Sequence, residues 1–371
     1  MRQEHAIVVV GAGAAGVGVG VALKRIGAPF TIVERGAIGE SFRRWPAEMR
    51  FITPSFNSNG FGLVDLNAIT PDTSPAYTLR KERLSGADYA HYLAAVARHF
   101  ELPVQTGVDV HNIQQDHNGF TLETSLGQMR ASFVIWAAGE FQYPRLNGFR
   151  GAELCLHNSQ VRSWRDLVGE EYVVIGGYES GIDAAIQLSN MGKRVRVLDE
   201  RASWDVDDSD PSISLSPFTQ QRLQRALRDK RIELIGGTRV VEVVRHDHMY
   251  AIRTDDGDWH TVATPPILAT GFVSSAHLIA DLFDWRDDGY PLLGEEDEST
   301  RTPNLFLVGP SVRHDRHIFC FIYKFRQRFA IVARALGQRL GLDIRPLEVY
   351  RRAGMFLDDL SCCGAACACQ A

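Results

Sequence analysis

The stretch AIVVVGAGAAGVGVGVALKRIGAPFTIVE, residues 6–34, decides the fold. Its first five residues form a continuous, β-branched apolar run, as expected of a parallel strand buried on both faces. Gly11, Gly13 and Gly16 follow at once, then a helix-compatible stretch over 17–26 and a second strand that ends in Glu34. Each glycine has a separate task. Gly11 permits the tight turn, Gly13 lets the backbone approach a pyrophosphate, and Gly16 lets helix and strand pack closely. The helix start, with Ala14 and Ala15, then faces the phosphates with free N–H groups and the positive end of its dipole. Glu34 lies 23 positions after Gly11, placed to accept hydrogen bonds from a ribose hydroxyl, with Arg35 beside it. Strand, glycines, helix, strand and acid in that order predict a dinucleotide site.

The pattern recurs. YVVIGGYESGIDAAIQL, residues 172–188, supplies a strand over 172–175, glycines at Gly176, Gly177 and Gly181, and a helix running to about Met191. Glu179 and Ser180 sit at the helix start, and the next strand, RVRVLDE, reaches Asp199. Gly176 to Asp199 is again 23 positions, and Gly181 to Asp199 matches Gly16 to Glu34 at 18. Spacing kept that closely predicts a second βαβ nucleotide site. One residue departs from the pattern: Tyr178 holds the place of the middle glycine, so its side chain must swing aside or block the pyrophosphate.

The whole chain, 371 residues, has room for two to three domains at about 150 residues each. Its 45 acidic against 40 basic residues, net −5, lack the electrostatic footprint of a nucleic-acid binder. No apolar run approaches the ~18 residues of a membrane span, and the short N-terminal run leads straight into glycines rather than a cleavage site. A cytoplasmic setting without membrane or nucleic-acid partners is expected, with the oligomeric state open, a homodimer included.

Two such loops in one chain resemble the flavoproteins with two dinucleotide-binding domains. These are the flavin-containing monooxygenase-like proteins, the thioredoxin reductases and the pyridine nucleotide–disulfide oxidoreductases. VIWAAG (134–139, with Ala138 and Gly139) and ILATGF (267–272, with Thr270 and Gly271) resemble that family's strand ends at the domain crossings. TPNLFLVGP (302–310, with Gly309) resembles its late flavin motif, with Pro310 where the motif has an acid. GESFRRWP (39–46) resembles a Gly-rich stretch of the monooxygenase-like branch whose tryptophan, here Trp45, sits near the flavin. The resemblance implies an α/β fold of two Rossmann-like domains, FAD on the first loop and a nicotinamide cofactor on the second. It implies an FAD domain at 1–145 and 265–352, an inserted NAD(P) domain at 150–264, and a tail at 353–371. Asp199 favours a free 2′-hydroxyl and hence NADH, although Arg201 could meet the 2′-phosphate of NADPH.

Four of the six cysteines crowd into LSCCGAACACQA, residues 360–371: Cys362, Cys363, Cys367 and Cys369. The string resembles the C-terminal pair of mercuric reductases and the mobile redox pair of large thioredoxin reductases. In both families such a tail hands its substrate to an inner thiol pair beside the flavin. That inner pair is missing here, because Ala14 and Ala15 fill the first loop and the second loop has no cysteine. The tail would have to visit the flavin itself or pair with a thiol near it, such as Cys320, which lies in the helix-like stretch HIFCFIYKF at 317–325.

Three functions are consistent with these residues. The first is an FAD-dependent NAD(P)H oxidoreductase whose tail thiols reduce a disulfide or a thiol-bound metal or metalloid. The second is a flavin monooxygenase acting on a small molecule. The third is a flavoprotein of little turnover whose four thiolates, Cys362, Cys363, Cys367 and Cys369, hold a soft metal ion. His314 and His317, just past Gly309, read as proton donors near the flavin, as partners of a thiolate, or as surface histidines. The acids of 281–298 and the basic run of 313–352 read as solvated or mutually facing surfaces.

Overall fold

The N-terminal apolar run is strand β1 (Gln3–Val10), with Ile7, Val8 and Val9 fully buried. Helix α1 (Ala14–Arg25) follows and returns the chain to β2 (Phe30–Glu34), which pairs in parallel with β1, Ile7 opposite Phe30 and Val10 opposite Val33. Two parallel strands joined through a helix form a βαβ crossover, the unit that packs a helix back onto its own sheet. The glycines of VGVGV, residues 17–21, serve packing as well: a Cβ on Gly18 would strike the ring of Phe329, so helix α8 (Phe329–Arg339) lies close against α1. The computed structural model describes residues 3–56, 64–208, 210 and 212–360.

The chain divides into two units. The first comprises Met1–Arg43, Thr53–Glu140 and Ser274–Ala371. Beyond β2 it holds the short helices α2 (Glu40–Arg43) and α3 (Pro75–Leu79), then α4 (Gly86–His99), whose start is closed by a Ser85–Asp88 capping box. Strands β3 (Val104–Thr106), β4 (Val110–Asp116), β5 (Gly119–Thr124) and β6 (Gly127–Trp136) complete a sheet in the order β3-β2-β1-β6-β5-β4. Pairing is parallel from β3 to β6 and antiparallel from β6 to β4.

The second unit comprises Arg44–Ile52 and Phe141–Val273. It repeats the plan. After β7 (Leu156–His157), the run β8 (Glu171–Ile175), α5 (Glu179–Asn190), β9 (Arg194–Asp199), α6 (Pro217–Ala226) and β10 (Ile232–Gly236) builds a parallel layer. An antiparallel ribbon of β11 (Val240–His246), β12 (Met249–Thr254) and β13 (Trp259–Val262) follows, and β14 (Ile267–Leu268) closes the parallel sheet in the order β10-β9-β8-β14-β7. Val174, Ile182, Ile186 and Val197 fill the core on one face of that sheet, and Val173, Leu198, Val243 and Ile252 fill the other.

The chain returns to the first unit with β15 (Leu305–Leu307), which pairs with β6, the hairpin β16 (Arg313–His314) and β17 (His317–Ile318), α7 (Ile322–Phe325), α8 and α9 (Glu348–Arg352). Two expectations need correction. Cys320 lies in no helix but in the link between β17 and α7, because α7 starts only at Ile322. His314 is no surface histidine: it is 8% exposed, and its Nε2 lies 2.5 Å from Asp297 Oδ1. The fold is α/β with Rossmann-like sheets, as expected.

Candidate dinucleotide loops

The two glycine loops match bond for bond. Gly11 N donates to Val33 O at 2.8 Å, and Gly176 N donates to Leu198 O at 2.9 Å. Both glycines are left-handed, at φ +104° and +105°, where an L side chain is strained. A Cβ would lie 2.6 Å from Ala137 O on Gly11 and 2.5 Å from Ala269 O on Gly176. A Cβ on Gly16 would run into Gly11 O, and one on Gly181 into Gly176 O. The third glycine of each loop therefore marks the crossing of helix over strand.

The middle positions differ in residue and agree in backbone. Gly13 caps α1 at φ −79°, ψ −167°, and Tyr178 caps α5 at φ −92°, ψ −167°. A Cβ on Gly13 would meet nothing within 4 Å, so the space in front of α1 is open. No side chain caps α1 and no acid lies in its first turn, leaving its first N–H groups and positive dipole end directed at that space. The donor set and the room in front of it fit a pyrophosphate. The Tyr178 side chain is half-buried and packs against the core cluster of its unit.

The acids at the strand ends brace their own loops. Glu34 accepts from Ala12 N at 2.7 Å through Oε2 and from Gly36 N at 2.7 Å through Oε1. Asp199 accepts from Gly177 N at 2.7 Å through Oδ2, and from Arg201 N at 3.0 Å and Ser203 N at 3.3 Å through Oδ1. Arg35 lies 4.0 Å from Asp109, on the surface. Glu179, at the start of α5, turns away to cap α6, accepting from Ser216 N and Thr219 Oγ1, both at 2.5 Å. Burial pushes its carboxyl up, while the Thr219 and Ser216 hydrogen bonds pull it down. Ser180 follows it in the first turn of α5 and is half-buried.

The strand ends converge on these loops. Ala138 and Gly139 follow β6, and Gly139, at φ +68°, accepts from Ser275 N at 3.0 Å. Thr270 and Gly271 follow β14. Thr270 Oγ1 donates to Arg145 O at 2.9 Å, and Gly271 O receives Arg145 N at 3.0 Å and lies 3.1 Å from His157 Nε2. Gly309, at φ +108°, abuts α1: its Cβ would come 3.1 Å from Ala15 Cβ.

Trp45 packs on Phe51, ring centroids 5.0 Å apart, within the Arg44–Ile52 segment that clusters with the second unit. That segment is held there by Glu48, which accepts from Ser163 Oγ at 2.7 Å and Trp164 N at 3.0 Å. Cys320 is half-buried. Cys362, Cys363, Cys367 and Cys369 lie outside the described residues. Among the described residues, no group of three or more His, Cys, Asp or Glu could hold a metal ion, and no helix is long and apolar enough to cross a membrane.

Sequence reading missed three features. Glu140, directly after Gly139, has its carboxyl pushed up by burial against the opposing pull of Arg313. Asp297 and Arg328 form a fully buried ion pair at 2.9 Å. Trp204 packs over Gly177. Only Glu140 carried a signal, being a charged residue next to a glycine strand end.

The family model for pyridine nucleotide-disulphide oxidoreductases matches residues 8–309, from inside β1 to Gly309. The chain belongs to that family. The oxidoreductase is 24% identical over 313 residues to the bacilliredoxin reductase Bdr of Bacillus subtilis, covering 83% of this chain and 90% of that one. Its fold matches the bacillithiol disulfide reductase Bdr from Staphylococcus aureus with a TM-score of 0.76 at 20% identity, over 91% and 99% of the two chains. It matches a flavin-containing monooxygenase from Stenotrophomonas maltophilia with a TM-score of 0.71 at 17% identity, over 91% and 100%. The oxidoreductase is an FAD-dependent enzyme that uses NAD(P)H.

Proposed function

We propose that this oxidoreductase passes reducing equivalents from NAD(P)H to a disulfide, with its C-terminal cysteines as the exchanging thiols. The balance is NAD(P)H plus a proton plus one disulfide giving NAD(P)⁺ plus two thiols. The observation that carries the reading is the likeness to a bacilliredoxin reductase along nine-tenths of that protein's length, in a chain that ends in four clustered cysteines.

FAD, when bound, supplies the hydride and electron chemistry that no side chain offers. In this reading Gly11, Gly13, Ala14, Ala15 and Gly16 bind its pyrophosphate, and Glu34 with Arg35 takes its adenosine end. Ala138, Gly139 and Gly309 line the same cradle from the strand ends. Gly176, Gly177, Ser180 and Gly181 bind the nicotinamide dinucleotide, with Asp199 at its ribose and Thr270 and Gly271 alongside. Asp199 at the end of β9 sets a carboxylate against a 2′-phosphate, so NADH is the preferred donor. Cys362 and Cys363 exchange with the substrate, and Cys367, Cys369 or Cys320 completes the relay.

Anaerobic titration with NADH, reading flavin absorbance and free thiols together, tests this. The wild-type protein is expected to consume about two equivalents and to gain thiols, one equivalent per two-electron centre. The C362S/C363S variant should consume about one, with flavin reduction intact and turnover on disulfides abolished. Bleaching of the wild-type flavin by about one equivalent with no new thiols would remove the tail from the mechanism and leave oxygen as the acceptor to examine.

A further inference from the structure

The two loops in this chain act as controls for each other, and they differ at one further place. Five residues past Glu34 stands Gly39, whose N–H donates to Ala12 O at 2.9 Å. Five residues past Asp199 stands Trp204. Its indole lies against the second loop: a Cβ on Gly177 would strike Trp204 Cζ3 and come 2.9 Å from Cε3. The same ring reaches the end of β10, where a Cβ on Gly236 would come 3.3 Å from Cζ2. Glycine at both positions lets the benzo edge rest on bare backbone. Trp204 therefore covers the carboxyl ends of β8, β9 and β10, the edge at which open α/β sheets take their ligands.

The turn that carries the ring, Ser203–Asp205, is tied to Asp199. Asp199 Oδ1 accepts from Ser203 N at 3.3 Å, the longest of its three bonds, while its Oδ2 closes the loop through Gly177 N at 2.7 Å. A ribose hydroxyl arriving at this carboxylate competes first with Ser203. The bond that holds the tryptophan turn down is thus the one a nucleotide displaces most easily.

We propose that Trp204 is the gate of the second dinucleotide site: its indole covers the adenosine side of the Gly177 loop and must leave for a nicotinamide dinucleotide to seat. Tyr178, the conspicuous departure in the sequence, shares the backbone of Gly13, and both it and Trp204 pack against the core cluster of this unit, so the indole gives up that packing when the gate opens. The inference rests on the assignment of this loop to NAD(P)H. A site closed for most of the time binds more weakly by the fraction open, so removing the ring strengthens binding.

The test is calorimetric titration of the anaerobic oxidised holoenzyme with NAD⁺, which cannot reduce the flavin, in wild type, W204A and W204F. W204A is expected to bind NAD⁺ about tenfold more tightly, by removal of a gate open about a tenth of the time. W204F, which keeps a ring and a wild-type fold, should stay within about twofold of wild type. Tryptophan fluorescence should change on NAD⁺ addition in wild type and change less in W204F. Unchanged or weaker binding in W204A, with NADH still bleaching the flavin in all three proteins, would make Trp204 a packing residue or stacking platform and overturn the gate alone. If neither NADH nor NADPH bleaches any of the three and none binds NAD⁺ or NADP⁺, the assignment of the second loop falls and the gate with it.

Discussion

A Cβ added at Gly13 would meet nothing within 4 Å, whereas one added three residues later at Gly16 would collide with the Gly11 carbonyl. The two substitutions should therefore fail differently. In G13A the backbone is already at φ −79°, and alanine at such a position changes stability by less than about 1 kcal/mol. The methyl group then stands in the space offered to a pyrophosphate, so G13A should fold with an unchanged apo melting temperature and bind FAD at least tenfold more weakly. G16A should destabilise the apoprotein by about 3 kcal/mol or more, as overpacking against backbone does. Thermal melts of the apoproteins, with FAD titration by fluorescence quenching, separate the two; equal stability would refute the assignment of distinct tasks. Cys155 offers a pH test at the same scale. Burial, with Glu153 adding to it, pushes its thiol up to about 12. It should stay a thiol through pH 9 and alkylate roughly a thousandfold more slowly than an ordinary cysteine. Peptide-mapped labelling across pH 7–9 checks this, and fast labelling in the folded protein would contradict it.

At the scale of elements, the acids read from sequence as facing the basic run do meet it, along α8. Glu298 pairs with Arg339 at 2.6 Å and Glu296 with Arg334 at 3.7 Å. Composition cannot tell that the pair between them, Asp297 and Arg328, is buried, because a charge run looks the same in sequence whether solvated or enclosed. Arg328 also donates to Glu295 O and Leu357 O, and Leu357 N donates to Gln327 O at 3.1 Å. The start of α8 therefore anchors the chain just ahead of the cysteine cluster. Removing Arg328 leaves the buried Asp297 carboxylate with His314 as its remaining side-chain partner, so R328M should cost about 3 kcal/mol, the low end for breaking a buried pair. The double variant D297N/R328M should recover a large part of that loss, since asparagine tolerates the left-handed backbone at φ +62°. Urea unfolding of the four proteins in the cycle measures it; additive losses would show that the pair is not coupled.

For the whole molecule, legibility followed how local each constraint is. The βαβ pattern could be read because strand, three glycines and acid interact within about thirty residues, where spacing alone sets geometry. The chain's assignment to two units could not be read to the residue. Glu48 carries Arg44–Ile52 to the second unit through Ser163 and Trp164, more than a hundred positions away. The gate on the second loop was hidden for a different reason: Gly177 and Gly236 lie within about thirty positions of Trp204, but no spacing pattern says that an indole rests on those two glycines. Two units with separate cores and separate loops make a calorimetric prediction. A ligand stabilises the unit that binds it by about 2.7 kcal/mol at a hundredfold excess over Kd, roughly 5–10 °C for units of this size. Removing FAD should lower one unfolding transition by that order and leave the other in place, while NAD⁺ added to the FAD-free protein should raise only the second. G13A should cut the response to FAD to about half or less for a loss of affinity of tenfold or more and keep the response to NAD⁺. A single transition moved equally by both ligands would mean that the units unfold as one, and that neither loop reports on its own unit alone.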